Sequence, residues 1–327
     1  MPERKFLVSP GPHLWEKFSV SKIMYLVVLA LMFPTVAGVY FFGYRALSVI
    51  AVSVAVAVLT EYGAKKLRKR PFIMDGSALV TGLLLALTLP PTIPLWMAAA
   101  GSVFSIAIVK EAFGGLGHNI FNPALGGRAF MTASFPVEMT TWVMPFAADA
   151  VTTATPLAEG FVWQYDKHAL YQALFLGNIA GSIGETSALL ILFGGFLLLA
   201  LRIIDWRISL TYIGTVALTV VLLILVWPGV ALPILTSPWE NALFHILAGG
   251  LLLGAFFMAT DYVTSPITAR GKIIFGIGAG IITVIIRLFG GLPEGVTFAI
   301  LIMNALTPLI DRYVKVRPYG LQKGVKG

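Results

Sequence analysis

The sequence predicts an all-α polytopic membrane protein of about ten transmembrane helices, arranged as two inverted five-helix repeats. The composition, the spacing of apolar runs and the distribution of basic residues predict this fold. Of 327 residues, 58% are hydrophobic and 12% are charged, and the mean hydropathy is +0.89. Soluble proteins are about 45–50% apolar and about 25% charged. A chain of this composition is expected to reside in a lipid bilayer.

Ten apolar runs are long enough, allowing for tilt and interruption, to cross about 30 Å of hydrocarbon. They fall near residues 22–43, 45–63, 77–91, 94–110, 120–136, 186–202, 208–227, 241–260, 273–290 and 295–311. The third and fifth runs are short, and each meets proline or glycine, in TLPPTIP and NPALGG. Short, interrupted spans are typical of backbone that lines a protected site.

Basic residues predict the orientation. If the KKLRKR run at 65–70 lies in the cytoplasm, alternation of the spans places every lysine and arginine in a cytoplasmic segment except Arg45, Arg128, Lys167 and Arg287. Both termini are then cytoplasmic, with tails at 1–21 and 312–327, and a long loop at 137–185 lies outside. The polar N-terminus predicts no cleavable signal peptide, so we expect the first helix to direct insertion.

The remaining composition excludes several classes of function. The formal charge of +8 is explained by orientation in the membrane, so we expect no nucleic-acid partner. The absence of cysteine excludes disulfides and iron–sulfur clusters held by thiolates of this chain. The four histidines are dispersed along the sequence, which predicts neither a haem pair nor a metal site.

A weak internal repeat supports the two-repeat architecture within one membrane domain, 1–327. IVKEAFGGLG at 108–117 is similar to VIIRLFGGLP at 284–293, and LVTGLLLAL at 79–87 is similar to LAGGLLLGA at 247–255. Repeat one covers about 22–136 and repeat two about 186–311. Because five spans is an odd number, the repeats insert with opposite topology, which resembles urea-transporter-like folds. The alternative is a chance likeness between helices rich in glycine and leucine.

The stretch DAVTTATPLAEG at 149–160 places three threonines within the predicted outer loop. One interpretation is a polar, turn-forming loop. A threonine hydroxyl can also anchor a cofactor if another enzyme esterifies it. The pattern D-x-x-T-x-A-T resembles the flavinylation motif of the NqrB/RnfD family, membrane subunits of the sodium-translocating NADH:quinone reductase and of the Rnf ferredoxin:NAD oxidoreductase.

The resemblance implies that the last threonine of the motif holds FMN through a phosphoester. In the family this bond is made outside the membrane by a flavin transferase that uses FAD. Carried over residue by residue, Thr155 is the acceptor, and Asp149, Thr152 and Ala154 occupy the other motif positions. Thr153 departs from the family, since many members have glycine there. The outer location agrees with the orientation predicted from charge.

The stretch GHNIFNPALGGRAF at 117–130 contains a second candidate site. An amide side chain offers both a donor and an acceptor, which suits the edge of an isoalloxazine ring. Asn122 is alternatively the N-cap of a helix that starts at Pro123. The stretch resembles the family's Asn-x-x-Asn-Pro-Ala segment, which implies that Asn119 and Asn122 hold non-covalent riboflavin near the cytoplasmic face. Residues 75–77 either cap the third span or complete this pocket.

Arg128 and Asp261 are the remaining candidates. A charge at bilayer depth normally pairs or lines a pathway, so Arg128 either meets a flavin phosphate or forms an ion pair with a carboxylate. Asp261, in FFMATD, lies at the cytoplasmic end of the eighth span. The resemblance implies a role for it at riboflavin or on a coupling-ion path. Its alternative role is that of a loop residue beside Arg270 and Lys272.

The resemblance implies an electron-transfer subunit with no independent turnover, in the inner (cytoplasmic) membrane. Electrons would pass from an outer FMN-bearing subunit, through this chain, to a cytoplasmic NAD-reactive subunit. The length fits RnfD-like members better than the longer NqrB-like ones, so the B subunit of the sodium-translocating NADH:quinone reductase is the alternative. A solute channel or carrier with inverted repeats, and a structural scaffold, are the other classes. The sequence leaves the coupling ion open.

Overall fold

The computed structural model describes residues 19–146, 152–153, 155–157, 166–230, 232, 234–235, 237–290 and 295–315. In this part of the chain the structure is helical, apart from a two-residue antiparallel pair of strands, β1 (Trp142–Val143) and β2 (Thr152–Thr153). The helices are α1 (Val20–Phe42), α2 (Tyr44–Leu67), α3 (Ser77–Leu87), α4 (Leu95–Val103), α5 (Pro123–Ser134), α6 (Pro136–Met139), α7 (Lys167–Leu176), α8 (Ala188–Ala200), α9 (Trp206–Val226), α10 (Pro238–Leu247), α11 (Leu251–Leu253), α12 (Ala269–Phe289) and α13 (Val296–Tyr313).

The prediction of an all-α polytopic membrane protein is confirmed. Five of the described helices, α1, α2, α9, α12 and α13, are long and apolar enough to cross a membrane, and α10 with α11 and its extension makes a sixth if it counts as one bent span. Helices α3 and α8 are apolar but shorter, at 11 and 13 residues. Each predicted apolar run coincides with one of these helices, with α4 or with α5.

The helices pack in a pattern that occurs twice. In the first half α2 packs against α3 and α4, and α4 packs against α5. In the second half α9 packs against α10 and α12, and α12 packs against α13. The halves meet where α1 contacts α8 and where α5 contacts α13. These contacts join equivalent helices, as a twofold relation between two five-helix units requires. The repeat boundaries and the opposite insertion stay predictions.

Two spans change their helical geometry before they end. Helix α4 continues as a π-helix over Phe104–Glu111, and α11 continues as a π-helix over Gly254–Met258. Helices α10 and α11 are bent by 67°. The bend lies at Gly249, whose φ of +66° is unfavourable for residues with a side chain. Short π-helical segments occur frequently at functional sites, because they re-aim side chains and expose backbone groups.

The predicted outer loop is more structured than a surface loop. It contains α6 and α7, and residues 179–187 are buried. This segment is fixed to the end of the third span, because Ile183 N donates to Leu89 O at 3.1 Å and Gly184 N donates to Leu87 O at 2.7 Å. Apolar side chains of α7 explain the burial, since Leu170 packs in a cluster with residues of α10. This part of the loop therefore belongs to the protein interior.

Candidate functional site: two cavities at opposite ends of the helices

Four of the predicted site residues line two cavities, named here the Asn119 cavity, with Asn119, Asn122 and Asp261, and the Thr155 cavity. Helix α12 locates them at opposite ends of the molecule. Lys272, near its start, pairs with Asp205 beside the Asn119 cavity, whereas Arg287, near its end, approaches Gly249 in the wall of the Thr155 cavity. Fifteen helical residues separate Lys272 from Arg287, which corresponds to roughly 22 Å along the helix axis.

The Asn119 cavity has a volume of about 100 Å³, which is less than the roughly 300–1,000 Å³ of typical small-molecule sites. Like such sites, it is mostly apolar and contains a few polar groups. The walls come from both halves of the chain, from α1, α3, α5 and α8 and from both π-helices. Phe256 and Phe257 contribute aromatic surface, and Asn119, Asn122 and Asp261 contribute the polar groups. The structure thus brings together all three residues that the sequence nominated for the second flavin.

Asn122 is the best-connected residue of this cavity. Its Oδ1 accepts hydrogen bonds from Ala124 N at 3.0 Å and Leu125 N at 3.3 Å, so it is the N-cap of α5. Its Nδ2 donates to Met258 O at 3.2 Å. Its backbone N donates to Oδ1 of Asn304 at 3.2 Å. Because both side-chain atoms are engaged, Asn122 joins α5 to the π-helix and to α13, and the capping interpretation is observed.

Asn119 and Asp261 lie in the wall of the same cavity. Asn119 is buried, and its Nδ2 donates to Phe121 O at 3.1 Å. The Asp261 carboxylate accepts a hydrogen bond from Thr264 Oγ1 at 3.2 Å. Burial raises the pKa of Asp261, although hydrogen bonds from Val263, Thr264 and Asn119 oppose this. The alternative partner considered for Asp261, Lys272, instead forms an ion pair with Asp205 at 2.9 Å.

Lys110 also lines this cavity, and the buried ion pair that it forms with Glu61 was not predicted from the sequence. Lys110 Nζ lies 3.2 Å from Glu61 Oε2 and donates to Ser77 Oγ at 2.6 Å. Glu61 has a second cation at its other oxygen, Lys65 at 2.6 Å. The signal available in the sequence was the location of Glu61 and Lys110 at the cytoplasmic ends of the second and fourth apolar runs. Asp75 Oδ1 accepts hydrogen bonds from Ser77 N at 2.8 Å and Ser77 Oγ at 2.5 Å, but the N-cap of α3 is Gly76, and Ser77 lines the Asn119 cavity.

The Thr155 cavity is smaller and more enclosed. Its walls are residues 155–157, α7, the buried 179–185 segment and the α10–α11 bend. Thr155 is 6% exposed, and its Oγ1 has no hydrogen-bond partner among the described residues. The hydroxyl therefore faces the protein interior. The sequence interpretation, which assumed that it faces water, was wrong on this point. A buried hydroxyl without a partner costs about 1–3 kcal/mol, and the loss is recovered when a bound group supplies the contact.

Arg128 reaches this cavity through a carboxylate. Its guanidinium lies 3.3 Å from Oε1 of Glu185, and both side chains are buried. Glu185 lines the Thr155 cavity. Of the two roles considered for Arg128, the ion pair is observed, and it places the arginine beside the candidate attachment residue. Glu185 was missed because the sequence located it in a loop expected to face solvent.

The other three positions of the D-x-x-T-x-A-T pattern are Asp149, Thr152 and Ala154. Asp149 and Ala154 lie outside the described residues, and Thr152 is described only as backbone of β2, where it pairs with Val143. The strand pair holds residues 152–153 against residues 142–143, immediately before the acceptor position. The proposed roles of these three residues stay predictions.

The donor groups fit the two flavins that the sequence implies. The Asn119 cavity combines aromatic rings with amide and carboxylate groups, which suits an uncharged heteroaromatic ring that lacks a phosphate. The Thr155 cavity combines a buried hydroxyl, the group that a phosphoester bond requires, with the carboxylate of Glu185, whose charge is paired with Arg128. In the described part of the chain, no group of three or more His, Cys, Asp or Glu side chains has the geometry of a metal site.

Comparison with known proteins identifies the family. Residues 7–320 match the family described as NQR2, RnfD, RnfE. The chain is 49% identical to the D subunit of the proton-translocating ferredoxin:NAD(+) oxidoreductase complex of Clostridium ljungdahlii, covering 97% of both chains. It is 45% identical to the D subunit of the Na(+)-translocating ferredoxin:NAD(+) oxidoreductase complex of Acetobacterium woodii, covering 99% of this chain and 98% of the relative.

A third relative, the D subunit of the ion-translocating oxidoreductase complex of Stutzerimonas stutzeri, is 43% identical over 92% of each chain. The family match extends over nearly the full length, from before α1 to beyond α13. The chain therefore belongs to the NQR2, RnfD, RnfE family.

Proposed function

We propose that this protein is the D subunit of an Rnf-type ion-translocating ferredoxin:NAD oxidoreductase and transfers electrons between two flavins. FMN is attached to Thr155, and riboflavin occupies the Asn119 cavity without a covalent bond. The single observation that carries the proposal is the buried hydroxyl of Thr155, which has no hydrogen-bond partner in the described part of the chain and lies in a cavity lined by Glu185. Similarity to the D subunits of three such complexes supports the assignment to this class of translocase.

The bound flavins would supply the redox chemistry, and the chain would supply position and electrostatics. Attachment forms a bond between Thr155 Oγ and the flavin-side phosphorus of FAD, releases AMP and frees the hydroxyl proton. Phe256 and Phe257 would contact the ring of the second flavin, and Asn119 would hydrogen-bond its edge. Asn122 would hold the cavity wall in place through its contacts with three helices.

The proposed setting is the cytoplasmic membrane with both termini inside. In this orientation the Thr155 cavity lies at the outer face, where a flavin transferase acts during maturation and where electrons are exchanged with an FMN-bearing subunit. The Asn119 cavity lies at the inner face, towards an NAD-reactive subunit. The relatives are named for a proton and for sodium at nearly equal identity, 49% and 45%. Overall similarity therefore leaves the choice of coupling ion open.

The alternative functions differ in a measurable way. The B subunit of the NADH:quinone reductase would carry the same flavins but copurify with a quinone-reactive complex. A solute channel or carrier would carry neither flavin. The test is to coexpress the chain with its flavin transferase, denature it in a gel, record flavin fluorescence, and map the attachment site by peptide mass. We expect one FMN per chain on Thr155 and none without the transferase.

Released flavin provides the second measurement. Acid extraction of the purified native protein should yield about one riboflavin per chain in addition to the bound FMN. A fluorescent band with the label on another residue would overturn the site but retain the class. A chain without fluorescence and without extractable flavin, after coexpression with an active transferase, would favour the carrier interpretation.

A further inference from the structure

We propose that a phospholipid with an anionic headgroup binds in a groove of the second half of the chain, named here the Trp206 groove. The groove has a volume of about 990 Å³, compared with about 100 Å³ for the Asn119 cavity. Its walls come from α7, α8, α9, α10, α11 and Phe256 of the second π-helix. The lipid would lie in the cytoplasmic leaflet, with its acyl chains in the groove and its phosphate beside Arg207. It would bind whether or not either flavin is present.

The lining of the groove is apolar and open to the outside of the helices. Phe196 of α8, Leu210 of α9 and Leu243 of α10 line it with 58%, 60% and 45% of their surface exposed. In the predicted orientation α9 begins at the cytoplasmic face, and its part of the wall lies within residues 206–213, a length of roughly 11 Å. One leaflet contributes about 15 Å of hydrocarbon, half of the bilayer core. Along α9 the groove therefore has the depth of one leaflet, which suits a lipid and not a helix that crosses the whole bilayer.

The side chains of the groove also favour lipid over a transmembrane helix of another subunit. Membrane helices pack closely where small residues line the interface. This chain follows that rule internally, since Gly276 and Gly280 of α12 face α9, and Gly194 of α8 faces α1. Among the described residues that line the groove, Ser209 is the only small one, and its hydroxyl already donates to Ala255 O at 2.8 Å. The bulky side chains leave an irregular surface that flexible acyl chains can fill.

Charge at the cytoplasmic end of the groove favours an anionic headgroup. Trp206 lines the groove, and the guanidinium of Arg207 lies 5.5 Å from the centre of its ring. Asp205 is paired with two cations, Arg207 at 3.3 Å and Lys272 at 2.9 Å. Arg202, which follows α8, is exposed and forms no ion pair within the described part of the chain. Three basic side chains thus accompany one carboxylate, and clusters of this kind at the cytoplasmic surface attract lipid phosphates.

The groove shares one residue with the Asn119 cavity. Phe256 lines both spaces, and its ring packs against that of Phe196, with the ring centres 6.0 Å apart. A Cβ added to Gly195 would lie 2.6 Å from the Phe256 ring, so α8 holds this ring closely on one side. An acyl chain in the groove would pack against the same ring. The lipid would therefore support one wall of the Asn119 cavity.

The first measurement tests the headgroup, because tryptophan and basic residues also occur at membrane interfaces without a bound lipid. The full chain is expressed without the flavin transferase, purified in detergent and titrated with phosphatidylglycerol or with phosphatidylcholine of the same acyl chains. Bound lipid is counted by native mass spectrometry. We expect one site that prefers phosphatidylglycerol roughly tenfold, because two arginines lie near the phosphate.

Arg202→Gln combined with Arg207→Gln should abolish this preference. The matched control is Arg312→Gln combined with Lys315→Gln, which removes two exposed charges at the cytoplasmic end of α13 and should leave the preference unchanged. Equal affinity for the two lipids in the wild type would overturn the proposal. A preference that survives in the Arg202 and Arg207 double variant would overturn it as well.

The second measurement tests the groove itself. Leu210→Trp fills the groove from its open side and should weaken the binding of both lipids. Leu218→Trp is the matched control, because Leu218 is 54% exposed on the same helix but lies outside the lining. Unchanged lipid binding in Leu210→Trp would overturn the proposal, and so would a photoreactive amino acid at position 210 that forms an adduct with another protein subunit in native membranes. The titrated chain carries no attached FMN, so these outcomes are independent of the proposed function.

Discussion

The two cavities differ in whether their polar groups are satisfied. At the Asn119 cavity, Asn122 uses both its amide atoms and Lys110 is neutralised by Glu61. At the Thr155 cavity, Thr155 Oγ1 lacks a partner among the described residues. A wall whose polar groups are satisfied suits a ligand that binds and leaves. A wall with an unpaired hydroxyl suits a group that is attached permanently to that oxygen.

The largest expected effect comes from replacing the attachment residue, Thr155, which should remove one flavin and leave the other. Thr155→Ala should abolish covalent FMN, because the nucleophilic oxygen is removed, while extractable riboflavin remains near one per chain. Thr155→Ser should keep attachment, and Thr153→Ala is the matched control within the same motif. The measurement is fluorescence of the denatured band together with riboflavin in the acid extract. Loss of both flavins in Thr155→Ala would mean that the cavities depend on each other.

The second prediction concerns the ion pair of the Thr155 cavity. Arg128→Met leaves the Glu185 carboxylate buried without its partner, and removing one member of a buried pair costs about 3–5 kcal/mol. We expect a large fall in the thermal midpoint of the purified protein in detergent. The double variant Arg128→Met with Glu185→Gln should recover most of this fall, because it leaves no buried carboxylate without its arginine. A double variant as unstable as the single one would mean that Arg128 acts through packing alone.

The third prediction concerns Asn122, whose hydrogen bonds connect α5 with the π-helix and with α13 in the wall of the Asn119 cavity. Asn122→Ala removes an N-cap, worth about 0.5–2 kcal/mol, and leaves Met258 O without its donor at a further cost of about 1–3 kcal/mol. We expect lower stability and loss of riboflavin, with FMN retained on Thr155. Asn122→Ser keeps a capping oxygen and loses the amide donor without adding a charge, so its effect should be intermediate. An Asn122→Ala variant with wild-type riboflavin content and wild-type stability would show that the Asn122 contacts do not hold the cavity wall in place.

Some of these features could be predicted from the sequence, and others could not. Apolar runs and capping residues predicted the helices, and Asn-Pro at 122–123 predicted the start of α5, because these signals are local. The burial of Thr155 was not predictable, because it depends on residues 179–187 packing under α7 and on a bend at Gly249 more than 90 positions later. Partners such as Glu185 and Asn304 became visible only when distant helices were brought together.

Replacing Asp261 should give the smallest of the expected effects. It tests most directly whether the negative charge of this carboxyl is compensated in the Asn119 cavity. Because burial raises the pKa of its carboxyl in the folded protein, the unfolded chain loses this proton at lower pH than the folded one. The folded protein therefore loses stability as pH rises from the ordinary aspartate value through the raised pKa. Asp261→Asn should remove this dependence and be more stable than wild type above that range, with equal stability at low pH. The check is the difference in thermal midpoint between the two proteins, measured from about pH 4 to pH 8. A difference in midpoint that is constant with pH would mean that hydrogen bonds to the Asp261 carboxylate fully offset the effect of its burial. The wall of the cavity would then carry the negative charge of Asp261 during turnover.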